Sequence, residues 1–565
     1  MSQLIRTIKL KSGPTGPSAP LIFTPGSVTL FVGPNHSGKS KVLQEIRESI
    51  PKVEGTGFCK VLSALEFNPF EDSIREKFES EFQRGAQTYD QGGVPHVKFT
   101  KDGNTWQFPA EVFSGFVSEL GTVEGLRKQL GVVGHNFANQ LSLLLNGNER
   151  LNLLNATSRE DLRGEMRSTL GVLFQSDDKR KEVQRIVREA FGWQLVIDVT
   201  GREQFRAAVS DVEPPSGIER SLATEALKYF SECADISSMS DGIRAYAGMI
   251  AAVMASEARL ILIDEPEAFL HPALCMNLAN NLSRKARETG RQLIVATHSA
   301  PFLLGCVQAA VDFNVVRLTY RNGLATSRII EHRELVPLMR NPLLRSIGAL
   351  NGVFFESVIV TEAARDRAFY EEVNHRCLVF KHEGGIPDCL FLNAQNWQTT
   401  RIIGPLRKIG IAAAAIVDVD IVCEEATTAF GHLLESANVP EVTRAGLSQM
   451  RGQIRPQTED AKKALKRQGI GALSGEARHA LEDFIGQLEK YGVFVVPCGQ
   501  VECWLPHLRK SSSHKSEWLE EVFEAMGEDV EAESYVKPAA NDVWQFMARI
   551  RCWLHDPKRR GIPSS

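Results

Sequence analysis

The sequence predicts an α/β protein made of two parallel-sheet units, each carrying an inserted segment of its own. Three observations lead there. An apolar strand, Ser27–Val32, runs through a glycine-rich turn into a helix from about Ser40. Two more apolar strands, Arg259–Ile263 and Gln292–Ala296, alternate with helical pattern between Ser240 and His298. Beyond Asn341–Gly352, with proline near its start and glycine near its end, the alternation begins again at Ser357. Strands alternating with helices read as βαβ units on a parallel sheet.

At 565 residues the chain has room for about three or four structural units. Its 43% hydrophobic and 24% charged residues match globular proteins, which excludes disordered, collagen-like and fibrous classes. The apolar run Ile409–Val417 is too short to span a bilayer and ends in Asp418. The opening MSQLIRTIKLKSGPTG lacks the apolar core of a secretory signal. Ten cysteines are scattered singly, and the nearest pair, Cys498 and Cys503, lacks zinc-site spacing. A reduced, cytoplasmic chain with no membrane segment is the expectation. A net charge of −4 excludes a coat of basic surface but permits a local basic channel. No fixed-period repeat or sustained heptad pattern is present, which removes solenoids and long coiled-coil arms.

In chain order, the first unit is expected over residues 1–340. Within it, residues 60–215 read as a mainly helical insertion with β-hairpins, whose turns fall around Gln87–Gly93 and Lys101–Asn104. The second unit is expected over 341–565. Its strands are Ser357–Val360, Cys389–Leu392, Ala413–Val417 and Gly492–Val496, with a helix over about Ala364–Asn374. Charged, helical sequence between Glu424 and Lys490 reads as an insertion, and the tail from Ser516 is again helical in pattern.

The first chemical constellation is Gly33-Pro-Asn35-His-Ser37-Gly38-Lys39-Ser40, which fits G-x-x-x-x-G-K-[ST] between a strand and a helix. Glycines let backbone N–H groups wrap phosphates, Lys39 reaches the β/γ-phosphates, and the Ser40 hydroxyl ligates Mg²⁺. Leu260–Asp264 is a buried strand whose last residue can hold Mg²⁺ through water, and the adjoining Glu265 can take a proton from the attacking water. Ser240-Asp-Gly242-Ile-Arg lies 24 residues before Asp264, and His298 follows the strand Gln292–Ala296. This ensemble resembles the ATP-binding-cassette (ABC-type) P-loop ATPases. The resemblance implies that Ser240 and Gly242 contact the γ-phosphate of ATP held by an opposite protomer, that His298 senses it, and that the protein is at least a homodimer. The segment reads SDGIR rather than SGGQ, and the glutamine of the Q-loop has no evident counterpart.

The second constellation is carboxylate-rich. Glu362 ends the strand beginning at Ser357, and Asp366 lies four residues on, one turn into the helix. Asp418 and Asp420 follow Ala413–Val417 with one residue between them, a spacing that in a strand sends both to one face. Glu502 follows the strand near Val496. Hard oxygen ligands clustered in this way suit Mg²⁺ or Mn²⁺. The pattern resembles the TOPRIM metal-dependent catalytic domain, although Ala363 stands where a glycine is usual.

An ABC-type ATPase followed by TOPRIM resembles the overcoming-lysogenisation-defect (OLD) nucleases, including the nuclease subunit of the Gabija antiphage system. The resemblance implies an ATP-binding and ATP-hydrolysing endonuclease of phage defence or genome maintenance. Its cofactors would be ATP and Mg²⁺ or Mn²⁺, and Glu362, Asp366, Asp418, Asp420 and Glu502 would be its metal ligands. It implies a nucleic-acid substrate, DNA before RNA, a partner protein of a defence system, and a dimer-forming region at about 60–215. A lysine should support the scissile phosphate, with Lys537 the first candidate and Lys515 the second. The competing expectation is an ATP-switched sensor or scaffold whose TOPRIM domain is non-catalytic or docks a partner.

Overall fold

The computed structural model describes the chain except residues 1–2, 52–56, 71, 73–75, 77–78, 81–85, 102–103, 119–121, 124–139, 148, 162–163, 165, 202, 310–311, 322, 347, 395–398, 424–426, 460, 509–516 and 563–565. The chain divides into two compact units, Met1–Ile329 and Ile330–Ser565. The division precedes Asn341–Gly352, because the helix His332–Arg340 buries Leu335 and Leu338 within the second unit.

The first unit opens with β1 (Ile5–Leu10), β2 (Leu21–Phe23), β3 (Val28–Val32) and β4 (Leu62–Phe67). β5 (Ala86–Gln91), β6 (Val94–Lys101) and β7 (Asn104–Pro109) form an antiparallel meander. Its first turn is Gly92–Gly93, both at positive φ, as the glycine pair demands. Then come β8 (Ser142–Leu145), β9 (Thr157–Ser158), β10 (Gln194–Asp198), β11 (Gln204–Ser210) and β12 (Ala234–Asp235). The last four of these make a separate antiparallel sheet. β13 (Leu260–Asp264), β14 (Gln292–Ala296), β15 (Phe313–Arg321) and β16 (Leu324–Ile330) complete the unit.

The six-stranded central sheet has the order β16-β15-β3-β14-β13-β8, and its strands from β15 to β8 are parallel. β3 and β14 are buried along their whole length, which explains why they read as unbroken apolar runs. Helices Lys39–Ser49, Asp241–Ala255 and Pro272–Thr289 supply the crossovers.

The expectation of a mainly helical insertion at 60–215 is corrected here. The described residues of that stretch include β4 to β11, and β8 pairs in parallel with β13 as an edge strand of the central sheet. Short strands of Ser, Leu and polar residues lack the long apolar alternation that would have marked them.

The second unit is a four-stranded parallel sheet: β17 (Ser357–Thr361), β18 (Cys389–Asn393), β19 (Ala412–Val417) and β20 (Val493–Val495), in the order β18-β17-β19-β20. Between β19 and β20 lie the helices Thr427–Ser436, Glu441–Glu459, Lys462–Gln468 and Gly475–Glu489. Phe369, Tyr370, Phe494, Trp504, Trp518, Trp544 and Phe546 fill the core on one side of the sheet.

Arg407 ties this unit together from inside. It is fully buried, stacks over the Trp553 ring and donates to the carbonyls of Ala413, Ala437 and Gly492. Burial lowers its pKa to about 9. Gly492 must be glycine: its φ is 69°, and a Cβ there would lie 2.5 Å from Trp553 and 2.8 Å from Arg407. Arg407→Leu would strip a buried donor from those carbonyls, of which Gly492 keeps the Ala415 N–H, at about 1–3 kcal/mol for each acceptor left unpaired. Thermal unfolding should show the second unit's transition falling by many degrees, while an unchanged transition would remove Arg407 as its organiser.

Candidate functional site

In the first unit the phosphate loop leaves β3 through Gly33, whose φ is 139°. A side chain there would sit 2.0 Å from the Leu318 carbonyl oxygen, so only glycine fits beside β15. Gly38, at φ 96°, opens the helix Lys39–Ser49. Asn35 and His36 form the exposed crest, and Ser37 is buried. The Lys39 ammonium is buried and donates to the carbonyls of Gly33 (2.9 Å) and Pro34 (2.6 Å) and to the Ser37 hydroxyl (3.4 Å).

The register of β13 beside β14 sets Asp264 opposite Ala296. The Ser40 hydroxyl donates to Asp264 Oδ1 at 2.9 Å. Glu265 sits in the left-handed region (φ 51°), and its N–H donates to the Ala296 carbonyl at 2.8 Å. His298 Nε2 is 3.6 Å from Glu265 Oε1. Burial raises the Asp264 pKa, opposed by the Ser40 hydrogen bond. Burial, and then the Lys39 charge, lower that of His298. Lys39, Ser40, Asp264, Glu265 and His298 thus form one group, with a hydroxyl–carboxylate pair beside a carboxylate–imidazole pair. Ser240 precedes helix Asp241–Ala255, and Gly242, in its first turn, lies against the carbonyl of Phe269.

Two members of this neighbourhood were missed in the sequence. Glu267 is half-buried and accepts from the Thr297 hydroxyl (2.9 Å) and the His298 backbone N–H (2.6 Å), which ties the chain at His298 to the segment after β13. Its signal was present as a second glutamate after Asp264-Glu265-Pro266. Arg150 had none: it comes from the loop after β8, is 1% exposed, and donates to the carbonyls of Asp264 and Glu265.

In the second unit, Glu362 follows β17 directly, and Asp366 lies in the first turn of helix Ala364–Val379, where its carboxylate accepts from the Ala363 N–H at 3.1 Å. The Asp418 N–H donates to Glu362 Oε1 at 3.2 Å. The strand geometry expected for Asp418 and Asp420 is corrected: β19 ends at Val417, and both lie at a 3₁₀ turn, Val419–Val422. The chain bends because the Val419 N–H donates to the Gly499 carbonyl at 3.1 Å instead of continuing a ladder. Glu502 is 9% exposed in the turn Val501–Cys503.

The electrostatics join all five carboxylates. Burial first, and then Glu362, Asp366, Asp420 and Glu502, push the Asp418 pKa up to about 9. Asp366 is raised to about 6, by burial and then Glu502. Asp420 Oδ2 pairs with Lys466 Nζ at 2.8 Å, while its buried Oδ1 has no hydrogen-bond partner among the described residues. Among the described residues, no three His, Cys, Asp or Glu side chains close into a ready metal cage. The donor set still fits a hard divalent cation: buried carboxylate oxygens, one of them unsatisfied, repelling one another.

Lys537 does not join this group. Its ammonium lies 5.7 Å from the centre of the Phe380 ring. Phe380 follows the far end of the helix that begins at Ala364, roughly 20 Å from Asp366 at 1.5 Å per residue. The Ser-Tyr-Val-Lys-Pro segment is anchored instead by Tyr535, whose ring packs against Phe380 and under Arg376. Lys515 lies outside the described residues. The lysine at the carboxylates is Lys466, from the inserted helix Lys462–Gln468, which a search of the sheet loops would not find.

Residues 234–305, which carry Ser240, Asp264, Glu265 and His298, match the family described as "AAA domain, putative AbiEii toxin, Type IV TA system". The match supports an AAA-type ATPase domain in the first unit, and with it ATP binding and hydrolysis. A search of curated proteins finds no match. Among solved structures, an SMC head bound to the C-winged helix domain of ScpA aligns at 14% identity over 59% of this chain and 99% of that one, with a TM-score of 0.34. The SMC head domain from Thermotoga maritima aligns at 13% identity over 59% and 100%, with a TM-score of 0.30. At these scores the likeness is loose. No helix among the described residues is long and apolar enough to cross a membrane.

The raised pKa of Asp418 has a measurable consequence. Its folded value, about 9, lies above the ordinary carboxylate range. The folded state therefore binds that proton more tightly, and stability is lost as pH rises from about 4 to about 9. In EDTA, Asp418→Asn should melt higher than wild type, by a margin that widens over this window. A margin that stays constant with pH would place the Asp418 carboxyl in a solvated environment.

Proposed function

We propose that this chain is an ATP-hydrolysing, Mg²⁺- or Mn²⁺-dependent endonuclease of the OLD type, with a TOPRIM catalytic domain in its second unit. The observation that carries this reading is the set of five carboxylates gathered at the carboxyl edge of one parallel sheet, with the Asp418 pKa held at about 9. An edge so charged is poised for a cation, and ligands gather at this edge of open parallel sheets. Glu362, Asp366, Asp418, Asp420 and Glu502 would hold one or two divalent ions. Bound there, such ions would neutralise charge on the attacking and leaving oxygens of a phosphodiester.

In the first unit, Lys39 would turn from the loop carbonyls to the nucleotide phosphates, while Ser40 and Asp264 would hold the nucleotide's Mg²⁺. Glu265 would accept the proton of the attacking water, with His298 orienting it from 3.6 Å. By the ABC-type resemblance, the SDGIR segment would complete the site of a second copy, making the protein at least a homodimer. Phage defence with a partner protein is the role that the OLD resemblance suggests, and DNA is the substrate to test first.

One observation favours a second reading, an ATP-switched scaffold: Lys466 already neutralises Asp420. Plasmid cleavage in Mn²⁺ separates the two. Wild type should nick or cut, and Asp418→Ala and Asp420→Ala should lose at least about 100-fold in rate while keeping ATP hydrolysis. Equal cutting by all three would move the active site elsewhere, and no cutting of either DNA or RNA would support the scaffold.

The two activities should also separate from the other side. Lys39→Ala should lose ATP binding, whereas Glu265→Gln should bind ATP and hydrolyse it about 100-fold more slowly. Labelled-ATP binding together with phosphate release reads both effects. Wild-type hydrolysis by Glu265→Gln would give the proton-accepting role to another group.

A further inference from the structure

The inserted helix Lys462–Gln468 reads Lys-Lys-Ala-Leu-Lys-Arg-Gln. At about 100° per residue, Lys462, Lys463, Lys466 and Arg467 fall within an arc of about 140°. Ala464 and the buried Leu465 take the other side. The result is a short cationic stripe in a protein whose net charge is −4.

The helix is fixed against the carboxylate edge by groups that leave little freedom. A Cβ on Gly499 would lie 2.6 Å from the carbonyl oxygens of both Leu465 and Lys466, and Gly499 takes φ 116°. Cys503 Sγ donates to the Lys466 carbonyl at 3.5 Å and the Arg467 carbonyl at 3.4 Å. Just beyond the helix, the Ile470 N–H donates to the Pro497 carbonyl at 2.9 Å. A Cβ on Gly469 would be 1.9 Å from that same oxygen. The loop that holds the helix, 497–503, is the loop that carries Glu502. Lys466 and Glu502 are therefore positioned by one piece of chain, and the Lys466 ammonium ends on Asp420.

We propose that this helix is the nucleic-acid backbone contact of the second unit: Lys463 and Arg467 hold flanking phosphates, and Lys466 draws one phosphate toward Asp420. The proposal rests on the cleavage reading above and supplies what that site lacks. Five carboxylates repel a polyanion, so a phosphodiester reaches them only past compensating positive charge. The cationic stripe is docked on that same edge and supplies the charge. Lys463 and Arg467 are exposed, as backbone contacts must be, while Lys466 is half-buried at the carboxylates. Lys466 acts through the phosphate it positions, leaving Asp420 when a divalent cation compensates that carboxylate.

The test separates binding from cutting. The full-length protein is titrated in EDTA with a fluorescein-labelled 30-base-pair duplex, and with RNA of the same sequence, over a range of salt. Each phosphate contact contributes a slope of about −0.9 in log K against log salt for duplex DNA. A Lys463→Gln, Arg467→Gln double variant should therefore lose about 1.8 of slope and at least about tenfold in affinity. Its melting temperature should match wild type, because both side chains are exposed. Lys466→Ala should bind within a few-fold of wild type yet lose about 100-fold in kcat in Mn²⁺, with part of the loss restored in Lys466→Arg. An unchanged salt slope in the double variant, on duplex and RNA alike, overturns the proposal even if the protein cuts. A reduced slope in a protein that never cuts keeps the stripe and sinks the nuclease reading instead. A reduced slope seen with RNA alone keeps the contact and changes the substrate.

Discussion

Everything functional in this chain hangs on the parallel register of strands buried on both faces. In the second unit, β17, β19 and β20 are buried at every position, so no charged side chain can be carried along them. Charge can appear only where a strand ends. Because β19 pairs in parallel with both β17 and β20, their carboxyl ends lie side by side. Glu362 and Asp418, each the first residue past its strand, must then meet, as the hydrogen bond between them records. The same rule places Ser40, Asp264 and His298 together in the first unit, from the ends of β3, β13 and β14. Residues scattered along a chain become one site because hydrophobic burial leaves them a single edge.

That edge is held under tension. A carboxyl with its pKa near 9, as Asp418 has, would relax in water if the fold let it. Rigid packing denies it that route, with Arg407 bonded to three carbonyls from separate segments and aromatic rings beneath the sheet. In the first unit the tension is in the backbone. Glu265 adopts φ 51°, a conformation that costs a non-glycine residue of order 1–3 kcal/mol. Arg150 draws both carbonyls at the strand end into its guanidinium, and Glu267 clamps Thr297 and His298 alongside. Stability supplied elsewhere in each unit is thus used to hold polar groups where they would not settle unaided.

This division explains what the sequence disclosed. Apolar strands followed at once by a glycine turn, a histidine or acids are local signals, so β3, β13, β14, β17 and β19 and the residues at their ends were legible. The loop around Lys39 was legible for the same reason, since every residue of it lies within one turn of its neighbours. The groups that set the geometry were not. Arg150 and Lys466 arrive from other segments, and their roles exist only once β8 has joined the sheet edge or the inserted helix has docked. Lys537 misled because nothing local in the sequence tells that its segment docks beside Phe380, at the far end of the helix Ala364–Val379 from the carboxylates. The segment 60–215 was read as mainly helical because β8 and the meander are short and half-polar, without the alternation that marks a long amphipathic strand.

The two cations that sequence reasoning missed differ in a way that bears on their roles. Arg150 is 1% exposed, its pKa is lowered by burial, and it bonds to backbone carbonyls, which have nowhere to go. Moving it would strand two buried acceptors together with a buried charge, so it is a fixed strut under the carboxylate strand. Lys466 holds a side-chain carboxylate and is 36% exposed, with water at hand to solvate it once released. Its partner Asp420 is only 13% exposed, so a divalent ion arriving at that carboxylate can take the place of an ammonium that water is at hand to receive. A site that must admit a charged substrate can be closed by the second kind of cation and never by the first. The chain uses the buried arginine to hold a strand end and the half-exposed lysine to guard an edge.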